Sequence, residues 1–202
     1  MTDTSRLSTE RRDALTAATV AEFARAGYEG ASLNRIIRDA GMSKSSFYHF
    51  VGSKDELFDA VVRMLIADVA AQWTLPAPEE FAASFWQRVD ALLSEFGALS
   101  ATAELQHLGR IFYLPGATGD GAARTEFLDA VHGWVRSVLQ VGRDNGHVRD
   151  DLPLDLQADV TFAVLRAIDE WVLAEGDPSE RAGVAASAPG LVLRRLLAVA
   201  ES

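Results

Sequence analysis

The fold is decided by residues 32–57, which read SLNRIIRDAGMSKSSFYHFVGSKDEL. Apolar residues recur at helical spacing after Ser32, and a second helical pattern begins after Ser43. Serine is a favoured N-cap at both positions, and Gly41 supplies the left-handed backbone that ends the first helix. Only Gly41 and Met42 separate the two patterns. We therefore predict two helices that cross steeply at a short turn, as in a helix-turn-helix.

A third helix is predicted from Ser53, because Glu56 follows three residues later at the spacing of a capping box. The chain has two lysines, Lys44 and Lys54, and both fall at predicted helix starts, where a cation opposes the helix dipole. Residues 32–54 contain four cations and one carboxylate, whereas the whole chain carries a net charge of −10. This local basic charge on a helix-turn-helix indicates double-stranded DNA as the partner.

The second helix of a helix-turn-helix enters the major groove, and its N-terminal residues meet the base edges. A lysine donates to guanine O6 and N7, and small hydroxyls suit either base edges or phosphates. Phe47 and Phe50 have the spacing of core residues, and we expect Ser43 to act mainly as a cap. Ser32 is a further phosphate candidate, and Arg35 faces either solvent or a phosphate. The predicted base-reading group consists of Ser43, Lys44, Ser45 and Ser46.

Three stretches carry a family resemblance: FARAGYEGASLNRIIRDAG at residues 23–41, SKSSFYHF at residues 43–50 and Lys-x-x-Leu at residues 54–57. They resemble the TetR family of bacterial transcriptional regulators over about residues 8–62. The resemblance implies that Tyr48 and His49 donate to phosphates, and that Lys54 with its helix start holds another. It also implies a dimer formed by the last two helices and an effector site among the middle helices.

The composition excludes several other classes. The chain has 202 residues, of which 49% are apolar and 24% are charged, and it has no cysteine. A disulfide framework, a thiolate metal site and a cysteine nucleophile are therefore excluded. Charged residues interrupt every long apolar run, and the first twelve residues lack the apolar core of a signal peptide. We expect a cytoplasmic protein with no membrane partner.

Every long segment has helical periodicity, so we predict an all-α protein of about nine helices. The predicted domains are a three-helix helix-turn-helix head at 1–52 and a helical bundle for ligand binding and dimerisation at 53–202. A glycine-rich loop is predicted at 114–123. The predicted helices cover 8–26, 32–40, 43–50, 53–73, 78–96, 101–113, 124–145, 153–175 and 189–200.

The last two predicted helices are apolar over most of their circumference and must be buried on more than one side. A partner subunit supplies that second side, and the alternative is a monomer with two core helices. In a two-fold dimer the recognition helices reach half-sites about one DNA turn, ~34 Å, apart, so the operator is expected to be a palindrome. The predicted dimer interface consists of Val160, Val164, Ile168, Trp171, Leu193, Leu196 and Leu197.

The middle helices combine many aromatic residues with few polar ones, which suits a small, mostly apolar effector. The alternative is that the aromatic residues form an ordinary core and that the polar groups face solvent. The predicted effector site consists of Trp86, His107, Arg110, Phe112, Trp134, Phe162 and Asp169.

The main hypothesis is a homodimeric repressor that binds a palindromic operator and is released by this effector. The alternative is a helical metalloprotein or enzyme with a site at Glu104/His107 and Asp129/His132, because each pair has the spacing of two metal ligands on one helix face. No catalytic motif accompanies these pairs, so we expect no enzyme activity, no bound metal and no cofactor.

Overall fold

The computed structural model describes residues 8–99, 102–113, 122–173 and 178–199. Within these ranges the chain forms nine α-helices and one 3₁₀ turn, with no strand beyond an isolated antiparallel bridge between Val148 and Ala198. The all-α prediction is confirmed. The helices are α1 (Thr9–Gly30), α2 (Leu33–Asp39), α3 (Lys44–Phe50), α4 (Lys54–Gln72), α5 (Phe85–Leu99), α6 (Ala103–Tyr113), α7 (Ala122–Asp144), α8 (Leu154–Leu173) and α9 (Pro178–Leu197), and the 3₁₀ turn is Pro78–Phe81.

The chain divides into two compact units. Unit 1 consists of Met1–Trp73 and Ala103–Glu126, and unit 2 consists of Thr74–Thr102 and Phe127–Ser202. The sequence predicted a boundary between a DNA-binding head at 1–52 and a bundle for ligand binding and dimerisation at 53–202. This boundary separates two functions, and it stays a prediction. None of the helices in the described ranges has the length and apolar content needed to cross a bilayer. The predicted loop at 114–123 lies almost wholly outside the described residues, which resume at Ala122.

Unit 1 is built around α1, on which α2, α4 and α6 all pack. Its centre is an aromatic group in which the Phe58 ring lies edge-on to Phe23 at 5.0 Å and to Tyr28 at 5.2 Å between centroids. Ile36 from α2 and Ile111 from α6 are fully buried in the same unit. Apolar burial of this kind is the main stabilising term in a small helical unit. The helix-turn-helix is therefore held by helices on both sides of it in the sequence.

The turn between α2 and α3 is a Schellman motif. The Met42 amide donates to the Ile37 carbonyl at 3.0 Å, and the Gly41 amide donates to the Arg38 carbonyl at 3.1 Å. Gly41 has φ +64°, the left-handed conformation that this motif requires. The predicted helix stop is thus confirmed. Gly27 interrupts α1 with a different backbone conformation, at φ 65° and ψ −179°.

Unit 2 is a four-helix core in which α9 packs on both α5 and α8. The close approach of α7 to the rest depends on Gly142, where a Cβ atom would lie 2.6 Å from Cε2 of Phe85. The core residues of unit 2 are Phe81, Phe85, Val89, Val135, Val138, Leu139, Val148, Ala158, Leu193 and Leu197.

Two predicted helix boundaries are wrong. The helix predicted at 78–96 begins only at Phe85, because Pro78–Phe81 closes as a 3₁₀ turn in which the Glu80 carboxylate accepts from the Ala77 amide at 2.8 Å. The helix predicted at 189–200 begins at Pro178 and contains Pro189 in its interior. Proline favours a first helical turn, but the alanine-rich segment before it has high enough helix propensity to extend the helix through it.

The Schellman turn gives a test of the fold. Gly41→Ala is expected to destabilise unit 1 by about 1–2 kcal/mol, because an alanine in left-handed backbone is strained even where space is open. No atom lies within 4 Å of the Cβ position at Gly41, so a clash cannot cause the loss. The measurement is the free energy of unfolding in urea.

The matched control is Gly30→Ala in the same unit, where the Cβ would meet only Ala26 Cβ at an ordinary 3.5 Å. That change is expected to leave stability equal or higher, since it restricts the unfolded chain. Equal losses for the two variants would show that Gly41 is not held in the left-handed conformation.

Candidate DNA-binding interface

The recognition helix α3 is oriented by its cap and by one buried ring. The hydroxyl of Ser43 accepts a hydrogen bond from the Ser46 amide at 3.1 Å, as expected of an N-cap. Phe47 is fully buried, which fixes the rotation of the helix about its axis. The opposite face is left exposed and carries Lys44, Ser45, Tyr48 and His49.

Within the described residues, Lys44 makes no ion pair and no hydrogen bond, so its ammonium is available to an external partner. The Tyr48 side chain is 55% exposed although its ring packs edge-on to Phe47 at 5.2 Å. Ser46 is half-buried and its amide is used by the cap. The exposed face of α3 therefore presents one cation and several hydroxyls, which suits a polyanion with base edges.

The buried carboxylate of Glu22 connects α1 to the start of α2. This contact was not among the features predicted from the sequence. Its side chain is 3% exposed and lies 2.8 Å from Nη2 of Arg25 and 3.3 Å from Nε of Arg35. The same carboxylate accepts a hydrogen bond from the Ser32 amide at 2.8 Å. Two predicted phosphate contacts, Ser32 and Arg35, are thus brought together by one acidic residue.

Burial alone would raise the pKa of Glu22, since it penalises the charged form. Hydrogen bonds from Arg25 and the Ser32 amide, together with the charges of Arg25 and Arg35, outweigh burial and hold the pKa below its ordinary value. The group is therefore ionised at neutral pH. It neutralises part of the positive charge of the two arginines.

Lys54 is at the junction of α1 and α4 and is partly occupied there. Its Nζ atom donates to the Glu29 carbonyl at 3.2 Å and lies 4.9 Å from the centroid of the Tyr28 ring. Tyr28 in turn donates a hydrogen bond to Asp55. An ammonium has three donors, so Lys54 retains capacity for a phosphate while it also joins the two helices.

The predicted effector residues are divided between the two units. His107, Arg110 and Phe112 belong to unit 1, where Phe112 is buried beneath the Arg124 guanidinium, 5.6 Å from the ring centroid. The remaining four, Trp86, Trp134, Phe162 and Asp169, belong to unit 2.

Trp86 and Trp134 line one apolar cavity of about 70 Å³ inside unit 2, and the lining exposes only apolar atoms. The Trp134 indole donates to the Pro76 carbonyl at 2.8 Å, away from that lining. Phe162 lies against the His132 ring instead, with centroids 5.5 Å apart. Within unit 2 the structure therefore brings Trp86 and Trp134 together at one cavity.

The predicted dimer residues also divide into two groups. Leu193 and Leu197 are 6% and 3% exposed and belong to the core of unit 2, so they are covered within one chain, and their place in an interface stays a prediction. Helical periodicity had shown that they are apolar but not which neighbour covers them. Val160 and Trp171 are exposed, and Val164, Ile168 and Leu196 are partly buried. Further exposed apolar residues are Leu156, Leu191 and Val192 on α8 and α9, and Val199 just after α9.

No cluster of three or more metal-ligand side chains occurs among the residues that the structure describes. His132 pairs with Asp159 at 2.9 Å, and the side chain of Glu104 lies outside the described part. The described contacts of these residues therefore do not favour the metalloprotein alternative.

A capped recognition helix with an exposed polar face, set behind a tight glycine turn, defines a helix-turn-helix DNA-binding protein. Residues 15–61 match the family model described as bacterial regulatory proteins, tetR family. The helix-turn-helix region of the chain thus matches the TetR family, as the sequence resemblance indicated, and the similarity is to transcription regulators rather than to enzymes.

A curated relative matches about a quarter of the chain. The HTH-type transcriptional repressor SCO4008 of Streptomyces coelicolor is 43% identical over 53 residues, which are 26% of this chain. The match spans only 28% of the length of that repressor.

Two solved structures resemble nearly the whole chain. A TetR family transcriptional regulator from Chloroflexus aurantiacus has a TM-score of 0.67 and 21% identity, with 94% of this chain and 87% of that one covered. A TetR-family regulator from Pectobacterium atrosepticum has a TM-score of 0.63 and 20% identity, with 94% and 95% covered. At these identities the likeness shows a common fold.

The Glu22 contacts give a pH-dependent test. Glu22→Gln is expected to lower the free energy of unfolding by about 1–3 kcal/mol at pH 7, because it removes a buried, charge-assisted partner of two arginines. The lowered pKa makes this stabilisation fully present above the ordinary glutamate value of about 4.3 and lost as pH falls through the folded-state value. The difference in the free energy of unfolding between wild type and Glu22→Gln should therefore shrink progressively below about pH 4.3.

The control is Glu29→Gln, an exposed glutamate on the same helix, which is expected to change stability little at either pH. Urea unfolding curves at pH 7 and below pH 4 measure the effect. A Glu22→Gln difference that is the same at both pH values would contradict the ionised, paired state of this carboxylate.

Proposed function

We propose that this protein is a homodimeric transcriptional repressor that binds a palindromic operator through its helix-turn-helix and is released by a small, mostly apolar effector. The observation that carries the proposal is the exposed face of α3, where Lys44 stands unpaired among the described residues beside Ser45, Tyr48 and His49. The curated relative that matches 53 residues of this chain is itself a repressor, which supports the direction of regulation. Such a protein acts in the cytoplasm, where operator DNA is accessible.

The residues of the head take two roles in this proposal. Lys44 contacts a base edge, with Ser43, Ser45 and Ser46 beside it in the first turn of α3. Contacts to phosphates fix the register of the protein on the duplex and carry little sequence information. We assign that second role to Ser32, Arg35, Tyr48, His49 and Lys54.

Dimerisation is proposed through the exposed apolar face of α8 and α9. These two helices pack on each other, and their outer side carries Val160, Trp171, Leu191 and Val192. An apolar face of this kind is costly in water and is covered in most proteins by a partner. A second copy of the chain covers it with two-fold symmetry, which matches a palindromic operator.

Release by an effector is proposed through the interior of unit 2. Trp86 and Trp134 line its apolar cavity, so an apolar molecule is the ligand that this lining accepts. A ligand that binds the operator-free form more tightly than the operator-bound form shifts the population away from DNA.

The division of roles between the two lysines is testable. Lys44→Ala is expected to weaken binding by about 1–3 kcal/mol and to relax base preference at one operator position, because a base contact is lost. Lys54→Ala should weaken all sequences alike and lower the salt slope by about 1, because a phosphate contact is lost. Fluorescence anisotropy with operator variants at several salt concentrations measures both.

Thermal unfolding is the control for Lys54→Ala, because this change also removes the bond to the Glu29 carbonyl. Binding is compared only at temperatures where both variants are folded. Identical behaviour of the two variants across all operator sequences would refute the assigned roles.

The dimer face gives a second test. Leu191→Glu is expected to yield monomers, because it places a charge on a side chain that is 51% exposed in one chain and covered in the proposed dimer. Leu152→Glu is the matched control, because Leu152 is a 39% exposed leucine that precedes α8. Light scattering after size-exclusion chromatography gives the mass. An unchanged dimer mass for Leu191→Glu would place the interface elsewhere.

A further inference from the structure

An open depression lies between the start of α1 and the exposed face of α3, and we name it the α1–α3 depression. Its volume of about 1100 Å³ lies above the ~300–1,000 Å³ of small-molecule pockets, and it is wide open, so it suits the surface of a macromolecule. The residues that line it are Ser8, Glu10, Arg11, Ser43, Ser45, Ser46, Tyr48, His49 and Phe50.

The lining has the chemistry of a phosphate contact. Five of its members carry a hydroxyl, and Arg11 carries a guanidinium with five N–H donors in a fixed planar arrangement. Such a group binds phosphate oxygens in pairs. Glu10 is the one carboxylate in the lining and opposes an anion, so Arg11 is the group that decides the sign of the interaction.

The position of Arg11 on α1 follows from helical geometry. Residues four apart lie on one face, and Leu15 and Thr19, four and eight residues further on, are both buried in unit 1. Arg11 thus continues the inward face of α1 past the end of the core, beside α3. Arg12 is rotated by about 100° around the helix and does not line the depression.

Arg11 is also unoccupied by the protein itself. Among the residues that the structure describes, it makes no ion pair and no hydrogen bond, unlike Arg25 and Arg35, which both contact Glu22. An exposed cation without an internal partner contributes nothing to packing. Its side chain is available to a ligand that reaches α3.

We infer that Arg11 is a phosphate contact of the operator, so that the DNA-binding surface extends from the helix-turn-helix onto the start of α1. This inference rests on the proposed function, because it takes the duplex bound by α3 as the occupant of the depression. A duplex that receives a helix in its major groove, about 12 Å wide, presents the phosphates of both strands along the groove edges. Arg11 meets the edge on the α1 side of α3.

The experiment compares Arg11→Ala with its neighbour Arg12→Ala in the full-length chain. Binding is measured by fluorescence anisotropy with an operator selected from random DNA and with a scrambled duplex, between 50 and 200 mM salt. Arg11→Ala is expected to weaken binding to both duplexes by a similar factor, roughly 3- to 10-fold, and to lower the salt slope by about 1. Arg12→Ala is expected to stay within about twofold of wild type, and Arg11→Lys to keep the wild-type salt slope.

The outcomes separate this inference from the function on which it rests. If wild type binds DNA and Arg11→Ala behaves like Arg12→Ala, the inference is overturned and the proposed function stands. If Arg11→Ala loses affinity only for the selected operator, Arg11 reads a base and the phosphate role is overturned. A wild-type chain that binds neither duplex overturns both. Thermal unfolding of each variant confirms that the compared proteins are folded.

Discussion

The carboxylate of Glu22 joins α1 to the first helix of the helix-turn-helix, and the position of the recognition helix follows from that contact. An ionised glutamate this deeply buried is tolerated only because three donors surround it, from Arg25, Arg35 and the Ser32 amide. The amide contact fixes where α2 begins. The Schellman turn fixes where α2 ends, and the few residues between the two helices then leave α3 little freedom.

α3 has only seven residues and would not be stable as a helix in isolation. It is maintained by the Ser43 cap at its N-terminus and by the burial of Phe47 on its inner side. The outer side is therefore free to carry polar residues without loss of stability. The same division applies to Lys54, whose ammonium serves the junction of α1 and α4 with one donor and keeps the others.

The helix-turn-helix was predictable because its signals are local. The caps at Ser43 and Ser53 and the left-handed glycine at residue 41 depend on residues within one helical turn of each other. Glu22 was not predictable in the same way, because a glutamate on a helix is usually solvated and its partner Arg35 is thirteen residues away. The burial of Leu193 and Leu197 in the core of unit 2 was not predictable for a related reason, since periodicity shows which side of a helix is apolar but not what covers it. The start of α9 was missed because Pro189 resembles a first-turn proline.

The composition of unit 1 limits how its DNA-binding helices can be transferred into a chimaeric protein. α6 packs on α1 and α4 and contributes Leu108, Ile111 and Phe112 to the buried residues, although it begins thirty residues after α4 ends. A chain cut after α4 would lose this cover and expose apolar faces of both helices. The DNA-reading part of this protein is thus not a portable N-terminal module with a single joint. A functional chimaera needs three joints, one on each side of the segment that carries α5 and one after Glu126, so that α6 travels with the helices it covers.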